Sequence, residues 1–208
     1  PIVQAALGLY PLDAPNVELR NDSQDYDRSC TKTVDETLKQ VKAHARDIVA
    51  IGEVGMDLKY SDDEQHQLAN FMKFVRLANQ LKKPLIIHSR KAEKHVLDLL
   101  EDAKVNNAVL HCFSGGRKLI KRAVELGLRL TVTSNANRLQ HFQMLARDVP
   151  LGQLLTETDA PYLSPVRGER NEPQNVRVAV ETIAKMKGLN ADEVARNIFL
   201  NYTRTFPR

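Results

Sequence analysis

Short apolar runs alternate along this chain with longer amphipathic ones. Pro1–Leu7, Ile48–Ile51, Pro84–Ile87, Ala108–Leu110, Leu128–Val132 and Gln153–Thr156 are brief and mostly aliphatic, which predicts buried strands, the second closed by Gly52. Between them, apolar residues recur at helical spacing. Thr33 and Glu36 form a capping box ahead of a stripe of Val34, Leu38, Val41 and Ala45. Ser61 with Glu64 reads as a second box, opening a helix whose Leu68, Phe71, Met72, Val75 and Ala78 face the core. Further helices are predicted near Lys91–Asp102, after Ser114-Gly115-Gly116 with Gly127 as C-cap, and over Asn137–Val149. Two more close the chain, one ending at Gly188 and one capped by Asn190. Leu12–Thr31 is polar and reads as loop, as does the proline-rich stretch after the sixth strand.

Strict alternation of strands and helices, with no linker or internal repeat, predicts one α/β domain over residues 1–208 with a parallel sheet. Four strands run into a potential metal ligand: Glu53, His88, His111, and Asp159 just after Glu157. An open sheet collects its ligands at one switch point, whereas a barrel builds its site from the C-terminal ends of many strands. The expectation is therefore a TIM-type (β/α)8 barrel. About six of its eight strand–helix units are visible, and the abrupt start on a core strand places the missing two at the N-terminus.

Each candidate also has an ordinary structural reading. Glu53 could pair with a lysine, His88 and His111 could be satisfied core histidines, and Asp159 could cap a turn. Together the four are harder to dismiss, because imidazoles and carboxylates are the ligands of zinc, manganese and related ions. His44, His66, His95 and His141 fall in predicted helices among polar neighbours and read as surface or second-layer residues. The Ser114–Gly116 turn opens a helix, where free N–H groups suit phosphate. Arg90, Arg167 and Arg170 lie on loops and are candidate phosphate contacts, with solvated surface arginine as the alternative. Tyr162 is a candidate for stacking on a base or for packing.

Composition changes this picture little. The 42% hydrophobic and 27% charged contents are those of a globular protein, and no apolar run of membrane-spanning length and no leader pattern is seen, so the expectation is a cytoplasmic enzyme without membrane contact. Cys30 and Cys112 form no C-x-x-C motif and are expected as reduced thiols. A net charge of +4 is compatible with a polyanionic partner but equally ordinary for an enzyme.

The runs I-G-E-V-G-M-D, I-I-H-S-R, H-C-F-S-G and T-E-T-D-A-P-Y-L, in this order, resemble the TatD family of metal-dependent deoxyribonucleases, as does R-G-E-R-N-E-P at Arg167–Pro173. The resemblance implies an amidohydrolase-like (β/α)8 barrel hydrolysing DNA phosphodiesters, with RNA as an alternative substrate. It further implies up to two divalent ions, Mg, Mn or Zn. Glu53 would bridge the two ions, His88 and His111 would complete one site, and Asp159 would belong to the other and orient or deprotonate the attacking water. The family's first-strand H-x-H pair is absent from this sequence, and Leu9-Tyr10-Pro11 falls where many members carry a histidine before the proline. The rival readings are a hydrolase of a small amide, ester or lactone, and a truncated barrel that binds metal or nucleic acid without turnover.

Overall fold

The structure, a computed structural model, describes residues 3–20, 32–105 and 107–207. The order along these residues is β1 (Ala5–Leu7), α1 (Val34–Ala43), β2 (Ile48–Gly55), α2 (Glu64–Leu81), β3 (Leu85–His88), α3 (Glu93–Asp102) and β4 (Ala108–Leu110). It continues with α4 (Arg117–Glu125), β5 (Arg129–Thr133), α5 (Gln140–Asp148), β6 (Leu154–Glu157), α6 (Val176–Lys187) and α7 (Ala191–Thr205). The strand–helix alternation read from the sequence is the observed order. The chain divides into two compact units, residues 1–115 with 206–208, and residues 116–205.

In the first unit β1, β2, β3 and β4 pair in sequence, all parallel. In β2, β3 and β4 the residues Ile51, Ile87 and Leu110 are buried, as expected of covered parallel strands, whereas Ala5 and Ala6 of β1 are exposed. The Thr33–Glu36 capping box is present in both directions. At α2 the cap is Asp63, whose carboxylate accepts from the His66 N–H, while the Ser61 hydroxyl donates to the Glu18 carbonyl and accepts from the Asp63 N–H. Ser61 is thus spent on holding an upstream loop, and the cap passes two residues on. The core face of α2 is also rotated from the expected stripe. Phe71, Phe74, Val75, Leu77 and Ala78 are buried, while Leu68 and Met72 are half-buried.

β2 does not stop at Gly52 but runs on to Gly55, so that Glu53 lies within the strand. In the second unit β5 and β6 pair in parallel, from Leu130 opposite Leu154 to Thr133 opposite Glu157. The helix expected from Asn137 is preceded by a 3-10 turn, Ser134–Arg138, before α5 begins. Gly188 is the left-handed C-cap of α6, and the Asn190 side chain accepts from the Asp192 N–H at 2.8 Å. Cys112 is a free thiol, and Cys30 lies outside the described residues. No helix among the described residues is long and apolar enough to cross a membrane.

Candidate metal centre

Three neighbouring strands of the first unit carry Glu53, His88 and His111 to one place. Register does this: Gly55 stands opposite His88 and Ile87 opposite Leu110, and the His111 N–H continues the ladder to the Ile87 carbonyl at 2.9 Å. Two glycines let the backbones approach. A Cβ on Gly52 would lie 2.6 Å from the Ile86 Cβ, and one on Gly55, at φ +142°, would lie 2.0 Å from the His88 carbonyl oxygen. One ligand atom from each of the three residues falls within 4.8 Å of the others. Glu53 Oε1 is 2.9 Å from His88 Nδ1 and 3.7 Å from His111 Nε2.

Behind His88 stands a residue that sequence reasoning passed over. Asp57 is fully buried, and its Oδ2 lies 2.9 Å from His88 Nε2. The Tyr10 hydroxyl donates to the same Oδ2 at 2.8 Å and sits 3.2 Å from Nε2. Oδ1 of Asp57 accepts from the Lys59 and Tyr60 N–H groups, and the Gln67 amide clasps the Asp57 backbone from both sides. The one signal available was an aspartate four residues after Glu53 in I-G-E-V-G-M-D, and Tyr10 had registered only as a departure from a family pattern.

The electrostatics follow from this packing. Burial alone would push the His88 pKa down, but hydrogen bonds and charges from Asp57 and Glu53 overturn it, and the pKa is raised. Burial pushes the Glu53 and Asp57 carboxyls up, and the imidazoles more than offset it, so both are lowered. Two imidazoles and a carboxylate, with a second carboxylate supporting one ring, are the donor set of a divalent-ion site. The residues present therefore fit such an ion.

The other candidates are placed as follows. Arg90 is exposed just after β3, its guanidinium 5.3 Å from the centre of the Tyr60 ring. The Ser114 hydroxyl donates to Glu93, and Gly115 is buried. In the second unit Asp159 follows β6, exposed and left-handed at φ 60°, with its carbonyl accepting from the Tyr162 N–H. Its loop is tied down by buried Asn171, whose amide donates to the Thr158 and Tyr162 carbonyls at 2.7 and 2.6 Å. Arg167, Arg170 and Tyr162 are exposed on that stretch. His44, His66 and His95 pair with Asp47, Asp63 and Glu64 at part-exposed positions, and His141 packs edge-on against Phe142.

A family model described as TatD related DNase matches residues 1–207. The chain is 36% identical over 177 residues to a protein of Methanocaldococcus jannaschii named uncharacterized metal-dependent hydrolase MJ1582, covering 85% of this chain and 70% of that protein. It is 30% identical to human deoxyribonuclease TATDN3, covering 87% and 68%. Against the Escherichia coli hydrolase YcfH, at 36% identity, it spans 63% of the relative's length. Among solved structures, the TatD homologue YJJV of Escherichia coli superposes with a TM-score of 0.78 at 28% identity, over 99% of this chain and 77% of that one. A TatD family hydrolase from Entamoeba histolytica gives 0.80 at 20% identity and shares the fold alone. These likenesses bear out the TIM-type α/β class, and the chain belongs to the TatD-related DNase family of metal-dependent hydrolases.

Proposed function

We propose that this chain is a deoxyribonuclease that hydrolyses phosphodiester bonds at a divalent-ion site held by Glu53, His88 and His111. The observation that carries the reading is the convergence of those three side chains within 4.8 Å. A divalent cation held by Glu53, His88 and His111 would supply Lewis acidity and lower the pKa of a water. The chain's own residues do the rest. Asp57 holds the His88 ring in place. Arg90, beside the end of β3, offers a guanidinium to a phosphate, and Arg167 and Arg170, exposed in the second unit, are separate candidate phosphate contacts. The family resemblance gives Asp159 the role of orienting the attacking water and accepting its proton. The names of the relatives, a deoxyribonuclease among them, support DNA as the substrate.

No H-x-H pair occurs in this sequence, so a second ion would lack that imidazole support, and carboxylates alone hold a borderline ion poorly. The 208-residue chain should bind about one ion tightly and a second weakly. The test is metal titration alongside turnover of a labelled DNA single strand, with Glu53→Gln as the control. Turnover that needs the metal, is lost in Glu53→Gln, and is accompanied by binding that weakens as salt rises supports the reading. Salt-independent affinity for oligonucleotides, with turnover of a small ester or lactone instead, would replace it.

A further inference from the structure

Tyr10 and Asp57 contribute no atom to the Glu53–His88–His111 group, yet both converge on the far nitrogen of His88. Given the metal site proposed above, we infer that they are positioning residues which decide which His88 nitrogen is the ligand. Asp57 Oδ2, an acceptor at 2.9 Å, requires a proton on Nε2, so Nδ1, 2.9 Å from Glu53 Oε1, is the nitrogen that gives up its proton to an ion. Tyr10 serves the same end. Its hydroxyl donates to Oδ2, and its ring meets the imidazole edge-on at a centroid distance of 4.8 Å, limiting rotation of the ring.

The geometry makes Asp57→Asn a sharp test, because the orientation of the new amide is dictated in advance. The Lys59 and Tyr60 N–H groups both point at Oδ1, so the amide oxygen must take that place. The NH2 group then faces His88 Nε2 and the Tyr10 hydroxyl. A donor facing Nε2 needs a lone pair there, which moves the ring proton to Nδ1, the atom that should ligate. The side chain keeps its shape while the tautomer inverts, a loss that packing alone would not produce.

The experiment uses the full chain, zinc alone as the probe, and 15N-labelled histidine read by NMR with and without zinc. In the unaltered chain His88 should keep its proton on Nε2 when zinc is added and bind zinc through Nδ1. Asp57→Asn should leave the proton on Nδ1 alone in the zinc-free protein and weaken zinc by about 10–100-fold, the range typical of supporting residues. Tyr10→Phe should keep the tautomer and weaken zinc by about tenfold, the lower end of the range for supporting residues. Zinc-free thermal unfolding separates misfolding from mispositioning, and if Asp57→Asn does not fold, Tyr10→Phe and the unaltered chain carry the test. Zinc bound through His88 Nε2, or a folded Asp57→Asn chain with unaltered tautomer and affinity, would overturn the inference. Failure of Glu53→Gln and His111→Ala to weaken zinc would instead overturn the metal site on which it rests.

Discussion

Each of the two units fixes its strand-end residues with one buried polar side chain, and the two use opposite chemistry. In the first unit the hub is Asp57, an anion in contact with His88, Tyr10 and two backbone N–H groups. In the second it is Asn171, whose neutral amide donates to the Ser134 hydroxyl and to the Thr158 and Tyr162 carbonyls, while its oxygen accepts from the Glu172 N–H and the Asn175 amide. The partners dictate the difference. Carbonyls can only accept, so the loop after β6 needs donors and an uncharged residue. An imidazole whose far nitrogen must hold a proton needs an acceptor, and a charged one grips it best. One hub meets an ionisable ring; the other holds carbonyls, a backbone N–H, a hydroxyl and an amide, none of which titrates near neutral pH.

The largest effect should come from giving the second unit the first unit's chemistry. Asn171→Asp removes two donors and buries a charge against two carbonyls, at a cost of about 3–5 kcal/mol, with partial recovery in acid as the new carboxyl protonates. Denaturant unfolding at two pH values measures it, and zinc affinity of the Glu53–His88–His111 group should stay unchanged. Close behind, Gly55→Ala forces a Cβ into the His88 carbonyl at a left-handed-region φ and should cost about 3 kcal/mol in the first unit. Equal loss from Gly168→Ala, where nothing lies within 4 Å, would show that backbone strain and not the close approach is responsible. Glu53→Gln should lower metal affinity by more than about a hundredfold, beyond what a supporting residue contributes, with little loss of apo stability; calorimetric titration reads it.

The smallest effect is a pH dependence to which the charged hub contributes and the neutral one does not. The His88 pKa is raised above 6.5 in the fold, so its contribution to metal-free stability is complete below 6.5 and fades as pH rises through the folded value. Glu53 and Asp57 are lowered from 4.5 and 3.8, so theirs is present above those values and fades as pH falls through the folded ones. Metal-free stability should therefore be greatest between about 4.5 and 6.5, whereas metal affinity should climb with pH as the proton leaves His88. Asn171→Ala should lower the whole stability curve by about 2 kcal/mol without changing its shape. A curve whose shape follows Asn171 and not Asp57 would erase the distinction between the hubs.

Much of the fold was legible because strand and helix signals are local. A run such as Ile48–Ile51 bounded by glycine, or Thr33 three residues before Glu36, carries its meaning within a few positions. The order of elements and three of the candidate ligands followed from that reading alone. Local reading failed where a residue had competing partners: Ser61 held a distant carbonyl and Asp63 took over the cap. It also stopped β2 too early, since Gly52 and Gly55 serve close packing of strands and not a turn.

What the sequence by itself determined, then, is the alternation of strands and helices and the ligand types at their ends, because periodicity and composition act over short spans. Only the tertiary structure decided which atoms meet. Tyr10 and His88 are 78 positions apart and Asp57 and His88 are 31 apart, and no periodicity reaches across such distances. Their meeting depends on parallel register and on glycines that let the backbones close. The orientation of one imidazole ring is fixed by a carboxylate and a hydroxyl that the chain brings in from elsewhere.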